Sequence, residues 1–292
     1  MSQSVALGRA ASSGGPGRAK RSRWMRRAAR RPLILLAQLG IIALFLFIWE
    51  RGAGNPRQGA LVDEFFLGKP SRIIGIIVGW CADGTIVRNA SLTIQEGLIG
   101  FAIGSLLGIA LGFAFGVTRF GRAVLAPLVF STYAMPRFGF APLFILWFGL
   151  GVQSKIALVV TLVFYMTFFN TFEGAREVDA ELITVCRIMK ASRWQILTKV
   201  TIPSAMVWVA LGLKVSVPYA FVGAVIGEIL AGDLGLGAII TRAVNTFDPN
   251  RLMAAVFVTT FLAIILNLAI GRVTRIFLHW QTAGGARGGP GA

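Results

Sequence analysis

Residues 177–203 read EVDAELITVCRIMKASRWQILTKVTIP and lie between two long apolar runs. In the first half, apolar residues recur at the spacing of one helix face, and the charged residues lie mostly off that face. Ser192 then matches a helix N-cap, and Gln195 completes an S-x-x-Q capping box. We expect Pro203 to end the second helix, because the residue before a proline is pushed out of the helical region. The segment therefore predicts two short helices that meet at an angle near Lys190.

The corner between these helices has two interpretations. In the first, the segment is an amphipathic loop that only lies on the surface of a bilayer. In the second, it is a docking element for another protein. Arg193 and Trp194 stand at the corner, and arginine and tryptophan are residues that protein interfaces favour as anchors. Both interpretations fit the residues alone.

The composition is that of an integral membrane protein. Of the 292 residues, 55% are hydrophobic and 14% are charged, whereas a soluble domain carries about 25% charged residues. The net charge of +17 is concentrated, because nine of the 29 Lys and Arg residues lie in residues 1–31. This distribution indicates a positive-inside topology signal and not nucleic-acid binding. A single histidine, His279, argues against a histidine-cluster metal site, so we expect no metal.

Apolar runs predict an all-α polytopic protein with about six transmembrane helices. The predicted spans are about 33–49, 95–117, 124–150, 156–172, 205–229 and 252–271. With both termini in the cytoplasm, 19 Lys and Arg residues fall on the inner side and eight on the outer side, as the positive-inside rule requires. Lys155 is assigned to an outer turn. Residues 1–32, a basic tail, and residues 281–292 are expected to be disordered, and residues 33–280 form the transmembrane domain.

The second predicted span carries glycines at every fourth position. They are Gly100, Gly104, Gly108, Gly112 and Gly116. Small residues at this spacing let another helix backbone approach closely. We therefore expect this helix to pack in the centre of the bundle or at a contact between subunits.

The segment around the corner resembles a known loop. Residues 191–195, ASRWQ, followed by Pro203 resemble the second half of the EAA loop of ABC importer permeases. The first half departs from that pattern, since Thr184 stands where the family's Glu-Ala-Ala begins and Lys190 replaces its turn glycine. A lysine in a left-handed turn costs about 1 kcal/mol. By this resemblance, the ATPase-coupling residues are Thr184, Lys190, Ala191, Ser192, Arg193, Trp194, Gln195 and Pro203.

Further motifs resemble the nitrate/sulfonate/taurine permease subfamily. Residues 141–151 read APLFILWFGLG, and Gly227-Glu228 is followed by the triplet 235–237, GLG. The resemblance implies a type I ABC importer permease fold with cytoplasmic coupling helices. It also implies a multi-pass protein of the bacterial cytoplasmic (inner) membrane that passes a small solute, such as the anions nitrate, sulfonate or taurine, into the cell.

The resemblance also implies partners and the absence of enzymatic activity in this chain. The expected partners are cytoplasmic ABC ATPase subunits, an extracytoplasmic solute-binding protein, the lipid bilayer and a second permease copy in a homodimer. The sequence has no G-x-x-x-x-G-K-[ST] motif for binding ATP, so this chain is expected to bind no cofactor, with ATP and Mg²⁺ on the partner ATPase. The alternatives are a stand-alone secondary transporter or channel and a membrane scaffold.

Ionisable residues inside the predicted spans are candidates for the translocation path or a gate. Met135-Pro136-Arg137 interrupts the third span, and the fifth contains Lys214 and ends near Glu228. Charges at membrane depth are costly and mark functional sites by default. Arg137 either attracts an anion or is neutralised by Glu228 or by helix ends. Lys214 either lines the path or extends toward the inner surface, and Glu228 suits gating or contact with the binding protein.

Overall fold

The computed structural model describes residues 36–54, 62–178 and 180–277. The helices are α1 (36–52), α2 (Glu64–Leu67), α3 (Pro70–Ala82), α4 (Thr85–Val117), α5 (Ala126–Tyr133), α6 (Ala141–Phe148), α7 (Val152–Arg176), α8 (Ala180–Ile188), α9 (Arg193–Ile196), α10 (Ile202–Ala231), α11 (Leu236–Asn245) and α12 (Pro249–Phe277). Wide π-type turns cover Gly121–Leu125 and Leu197–Thr201, and a 3₁₀ turn covers Arg137–Phe140. The described residues are overwhelmingly helical, which confirms the predicted all-α class.

The chain divides into two units, one ending at Glu64 and the other beginning at Phe65. The first unit contains α1, whose apolar side chains are largely exposed. Two short strands, β1 (Ala53–Gly54) and β2 (Val62–Asp63), pair in parallel in the same unit. The predicted span 33–49 overlaps α1, but its first residues and both predicted disordered tails lie outside the described residues.

In the second unit, the helices long and apolar enough to cross a membrane are α4, α7, α12 and the continuous helix Arg193–Ala231. The third predicted span is instead a pair of helices, Gly121–Tyr133 and Arg137–Phe148, that meet at 84°. The predicted interruption is therefore present. Pro136 has no N–H group and cannot continue the helical hydrogen bonding of α5.

The glycines of α4 pack against α7. An added Cβ at Gly104 would lie 2.9 Å from Val163 Cβ, and one at Gly108 would lie 2.9 Å from Thr167 Cβ. Three further pairs follow the same step: Gly100 with Val159, Gly112 with Thr171, and Gly116 with Ala175. We call these five contacts the glycine ladder. Its constant step means that α4 and α7 run parallel, and it shows that the glycines pack within one protomer.

Helix α10 covers the α4–α7 pair. Ala220 and Ala224 of α10 pack with Val159 and Val163 of α7 in a buried cluster. At the C-terminal end of α10, α11 and α12 pack on it in a second cluster that contains Leu236, which is fully buried. Helices α4, α7 and α10 therefore form the centre of the second unit.

Two details of the sequence prediction are wrong. Pro203 does not end a helix, because α9, the π-type turn and α10 form one helix from Arg193 to Ala231. In this turn the hydrogen bonds join residues five apart, with Ile202 N–H donating to Leu197 O. Pro203 therefore follows a site where the regular α-helical hydrogen-bond pattern is already altered. Lys155 does not lie in a turn, since it belongs to the first turn of α7 and is buried.

Span boundaries also differ from the predicted ones. Helix α4 begins at Thr85, ten residues before the predicted start, and α7 extends to Arg176. The extra residues are polar at several positions, such as Asn89, which is buried against protein. Hydropathy alone underestimates a helix whose polar end is covered by other elements.

Candidate functional site

The end of α8 is a left-handed turn. Lys190 has φ +58°, and its N–H donates to Arg187 O at 2.9 Å. Ala191 N–H donates to Cys186 O at 3.0 Å, which completes a Schellman motif with Lys190 at the position that glycine usually occupies. Lys190 therefore adopts the left-handed conformation, which costs a lysine about 1 kcal/mol.

The start of α9 is fixed by the predicted capping box. Gln195 N–H donates to Ser192 Oγ at 3.2 Å, and Ser192 N–H donates to Gln195 Oε1 at 2.8 Å. Both bonds satisfy backbone donors that the first turn of a helix leaves free. The two motifs together fix the angle between α8 and α9.

This corner presents apolar and cationic side chains to its surroundings. Trp194 is 71% exposed, and Ile188 and Met189 are each 76% exposed. Arg193 beside them is exposed as well. We call the segment 180–196 the docking corner. Trp194, Ile188 and Met189 are exposed apolar side chains of the kind that marks interaction sites, and the Schellman motif and the capping box hold the backbone between them.

The end of the bundle next to α11, which the distribution of Lys and Arg predicts to lie on the outer side, contains a buried cluster of acids and a base. Lys155 Nζ lies 2.7 Å from Glu96 Oε1, and both side chains are buried. Glu228, whose residue is 0% exposed, accepts hydrogen bonds from the Thr93 hydroxyl at 2.6 Å and from Gly237 N–H at 2.8 Å. The charges of Glu96 and Lys155 also act on Glu228. We call these residues the outer cluster.

The glycines of two sequence motifs make the outer cluster possible. A Cβ at Gly227 would lie 3.1 Å from Lys155 Cβ, so this glycine lets α7 approach α10. A Cβ at Gly235 would overlap the Glu228 carboxylate, and Gly235 has φ +109°. The Gly227-Glu228 and Gly235-Leu236-Gly237 motifs therefore share one physical purpose, which is to enclose the Glu228 carboxylate.

Arg137 lies just after the break between α5 and α6 and is half-buried. Its Nη2 donates to Tyr133 O at 2.9 Å, and its guanidinium carbon lies 4.0 Å from the Tyr133 ring centre and 4.8 Å from that of Tyr165. Tyr165 in turn donates a hydrogen bond from its hydroxyl to Thr132. Within the described residues, the buried Arg137 Nε has no hydrogen-bond partner. The carbonyl of Tyr133, at the C-terminal end of α5, therefore neutralises part of the Arg137 charge. Glu228 does not pair with Arg137, because its carboxylate is bonded to Thr93 and Gly237.

The remaining predicted path residues are placed apart from the outer cluster. Lys214 lies on an exposed face of α10, together with Val215, Pro218 and Tyr219. Met135 is exposed beside the break. Glu228 has no exposed surface, so it does not itself form an outer contact surface.

Sequence analysis missed Glu96, Lys155 and Thr93 as members of a site. One signal was present in the sequence. Glu96 is four residues before Gly100, and Lys155 is four residues before Val159, so the ion pair is the next step of the glycine ladder. The partner helix of α4 is not visible in the sequence alone, and the ladder could not be extended without it.

Known proteins are similar to most of this chain. Residues 104–281 match the family model described as "Binding-protein-dependent transport system inner membrane component". The formylaminopyrimidine transport permease protein of Halalkalibacterium halodurans is 33% identical over 82% of this chain and 93% of its own length. The putative aliphatic sulfonates transport permease protein of Bacillus subtilis is 28% identical over 82% of this chain and 86% of its own.

A solved structure has a similar fold. The MetNI methionine ABC transporter in an inward-facing conformation contains a chain that superposes with a TM-score of 0.58. The match covers 67% of this chain and 97% of that chain, with 19% sequence identity.

Proposed function

Since the chain belongs to the family of binding-protein-dependent transport system inner membrane components, we propose that separate ATPase subunits dock at its docking corner and drive solute import. As a member of this family, the chain is the membrane-spanning permease subunit of an ABC importer. Its helical architecture is the type I permease fold. The ATPase is a separate chain, so the movement that ATP hydrolysis drives must reach this chain through the contact between the two.

The exposed Trp194 on a doubly fixed turn is the observation that carries the proposal. A large aromatic side chain that is 71% exposed has little favourable interaction with water, and it becomes an anchor when a groove encloses it. The Schellman motif and the capping box hold the backbone around it, so little conformational entropy is lost on docking. An amphipathic loop on a bilayer has no need of such a fixed corner.

The other partners follow from the same function. We expect ATP and Mg²⁺ on the ATPase, an extracytoplasmic binding protein on the outer side, and a second copy of this chain in a homodimer. The expected location is the cytoplasmic membrane of a bacterium with both termini inside, as the distribution of Lys and Arg favours. A solitary protomer would leave Lys214 exposed at membrane depth, whereas a water-filled path shared by two copies hydrates it.

An anion is the cargo class that the charges favour. Arg137 and Lys214 are cationic residues in or beside the membrane-spanning region, and Arg137 is only half-buried, so part of its side chain is open to an acceptor oxygen. Nitrate, a sulfonate or taurine would supply such oxygens. The names of the relatives above mention cargoes as different as sulfonates and formylaminopyrimidine. Membership of the family therefore supports import of a solute, and uptake measurements must identify the solute.

Co-purification tests the docking proposal. Tagged protein is isolated from detergent-solubilised membranes, and ATPase activity is measured in the eluate for the wild type, Trp194→Asp and the control Phe247→Asp. Phe247 is 76% exposed and follows α11, at the other end of α10 from the docking corner. We expect the ATPase with the wild type and the control and not with Trp194→Asp. Absence of an ATPase from all three samples would contradict the proposal.

A further inference from the structure

One continuous helix joins the docking corner to the outer cluster. Residues Arg193–Ala231 form 39 helical residues, which is a length of about 58 Å at the rise of an α-helix. Its inner end carries Trp194, within the capping box, and its outer end carries Glu228 in the last turn. A displacement at the docking corner therefore moves Glu228 with it, to the extent that the helix is stiff.

Beyond α10, the chain enters a short connection that would be loose by itself. Only residues 232–235, GDLG, separate α10 from α11, and the first and last residues of this segment are glycines. Glycine has the widest choice of backbone conformations of any residue. Without further contacts, α11 could change its angle to α10 freely.

Glu228 removes this freedom by bonding across the connection. Its Oε2 accepts from Gly237 N–H, at the start of α11, at 2.8 Å. The carboxylate also lies at the positive end of the α11 dipole, where a negative charge is stabilised. A Cβ at Gly237 would lie 2.7 Å from Glu228 Cβ, so the start of α11 is pressed directly against α10.

Helix α4 closes the joint from the opposite side. Thr93 Oγ1 donates to Glu228 Oε1 at 2.6 Å and accepts from Leu236 N–H at 3.1 Å. Asn89 Oδ1 accepts from Gly235 N–H at 2.9 Å. Three consecutive backbone N–H groups of the α11 start are thus held by side chains of α4 and α10, and all of these groups are buried.

We propose that Glu228 is a positioning residue that locks α11 to α10, so that movement of the docking corner reaches the outer surface through one rigid body. This inference rests on the proposed function, because it requires an ATPase at the docking corner. In this proposal, the buried Glu228 carboxylate transfers movement from α10 to α11 across the connection 232–235.

Spin-label distances test the lock. Labels replace Leu146 in α6, which takes no part in the hydrogen bonds around Glu228, and Val244 in α11, both of which are exposed, and Cys81 and Cys186 are changed to serine. Distances are measured in the complex with its ATPase, with and without a non-hydrolysable ATP analogue. The variants are Glu228→Ala, which removes both acceptor oxygens, and Glu228→Gln, whose amide can accept from Gly237 N–H and donate to Thr93 while the Thr93 hydroxyl turns to Asn89 O.

We expect a narrow distance distribution that shifts with nucleotide in the wild type and in Glu228→Gln. In Glu228→Ala, the distribution should broaden and the nucleotide shift should be lost. A control, Glu173→Ala, removes an exposed acid that only pairs with Arg176 on the surface, and it should behave like the wild type.

Two results would overturn the inference, and they are distinguishable. The same nucleotide shift in Glu228→Ala as in the wild type would show that α11 does not depend on Glu228, while docking of the ATPase stood. If no ATPase is present in the wild-type complex, the proposed function itself fails and the transfer of movement fails with it.

Discussion

Lys155 Nζ lies 2.7 Å from Glu96 Oε1, one helical turn before the contact between Gly100 and Val159. Helices α4 and α7 thus pack with their backbones close together at the glycine ladder, and a buried ion pair joins them on the N-terminal side of the ladder. Close approach of α4 and α7 brings the two charged groups together without room for solvent. The ion pair and the adjacent Glu228 make the outer end of the bundle sensitive to single substitutions.

The glycine ladder should tolerate no added methyl group. For Gly104→Ala, the new Cβ would lie 2.8 Å from Val160 O, a backbone atom that cannot move independently. We expect a loss of about 1–3 kcal/mol, as for other overpacked sites. The measurement is the apparent melting temperature in detergent.

Gly75→Ala is the matched control for that substitution. It makes the same chemical change in α3, where a Cβ would meet no atom of the described chain within 4 Å. Alanine favours a helix over glycine by about 1 kcal/mol, so this variant should be as stable as the wild type or more stable. Equal melting temperatures for the two variants would contradict the packing of α4 on α7.

The buried ion pair should show strong coupling between its members. Lys155→Met leaves Glu96 and Glu228 as buried acids without their cation, and Glu96→Gln leaves a weaker partner for Lys155. Loss of one member of a buried pair costs about 3–5 kcal/mol. We expect the double variant to be more stable than the sum of the single effects predicts, measured as unfolding in a double-mutant cycle. Additive effects would mean that the two side chains do not interact.

Sequence analysis was accurate where the information is local. The capping box at Ser192 and the break at Pro136 each depend on a few neighbouring residues, and the structure confirms both. The four-residue glycine repeat correctly indicated close packing. Its partner, α7, was not predicted.

The errors concern features that depend on distant residues. Lys155 was assigned to an outer turn because a lysine beside glycines is typical of a solvated loop, but Glu96, 59 residues away, pairs with it. Pro203 was expected to end a helix because the residue before a proline is pushed out of the helical region, whereas Ile202 keeps helical dihedral angles after the π-type turn at Leu197–Thr201. Both depend on packing that local pattern does not encode.

Relief of the left-handed strain at Lys190 should stabilise the docking corner. Lys190→Gly retains the Schellman hydrogen bonds and removes the Cβ that disfavours φ +58°, for a gain of up to about 1 kcal/mol. Lys190→Ala keeps the Cβ and serves as the control, with no gain expected. Apparent melting temperatures that do not differ between the two variants would contradict a strained turn.

Arg137 should be required for anion uptake and not for assembly. In Arg137→Met, the side chain can still pack on Tyr133 and Tyr165 but carries no charge. We expect uptake of radiolabelled taurine and nitrate to be lost while the protein still co-purifies with its ATPase. Arg119→Met, which removes an exposed arginine outside the helix break, is the control and should leave uptake unchanged. Normal uptake of either anion by Arg137→Met would remove this residue from the path of that anion.

Photo-cross-linking at position 194 tests the central claim most directly. Trp194 is replaced by a photoreactive phenylalanine derivative in cells, the membranes are irradiated, and the adducts are identified by mass spectrometry. Because Trp194 is exposed on the fixed corner, we predict one protein adduct, and that adduct is an ABC ATPase subunit. Adducts with lipid alone would contradict this account and would mean that residues 180–196 only lie on the bilayer.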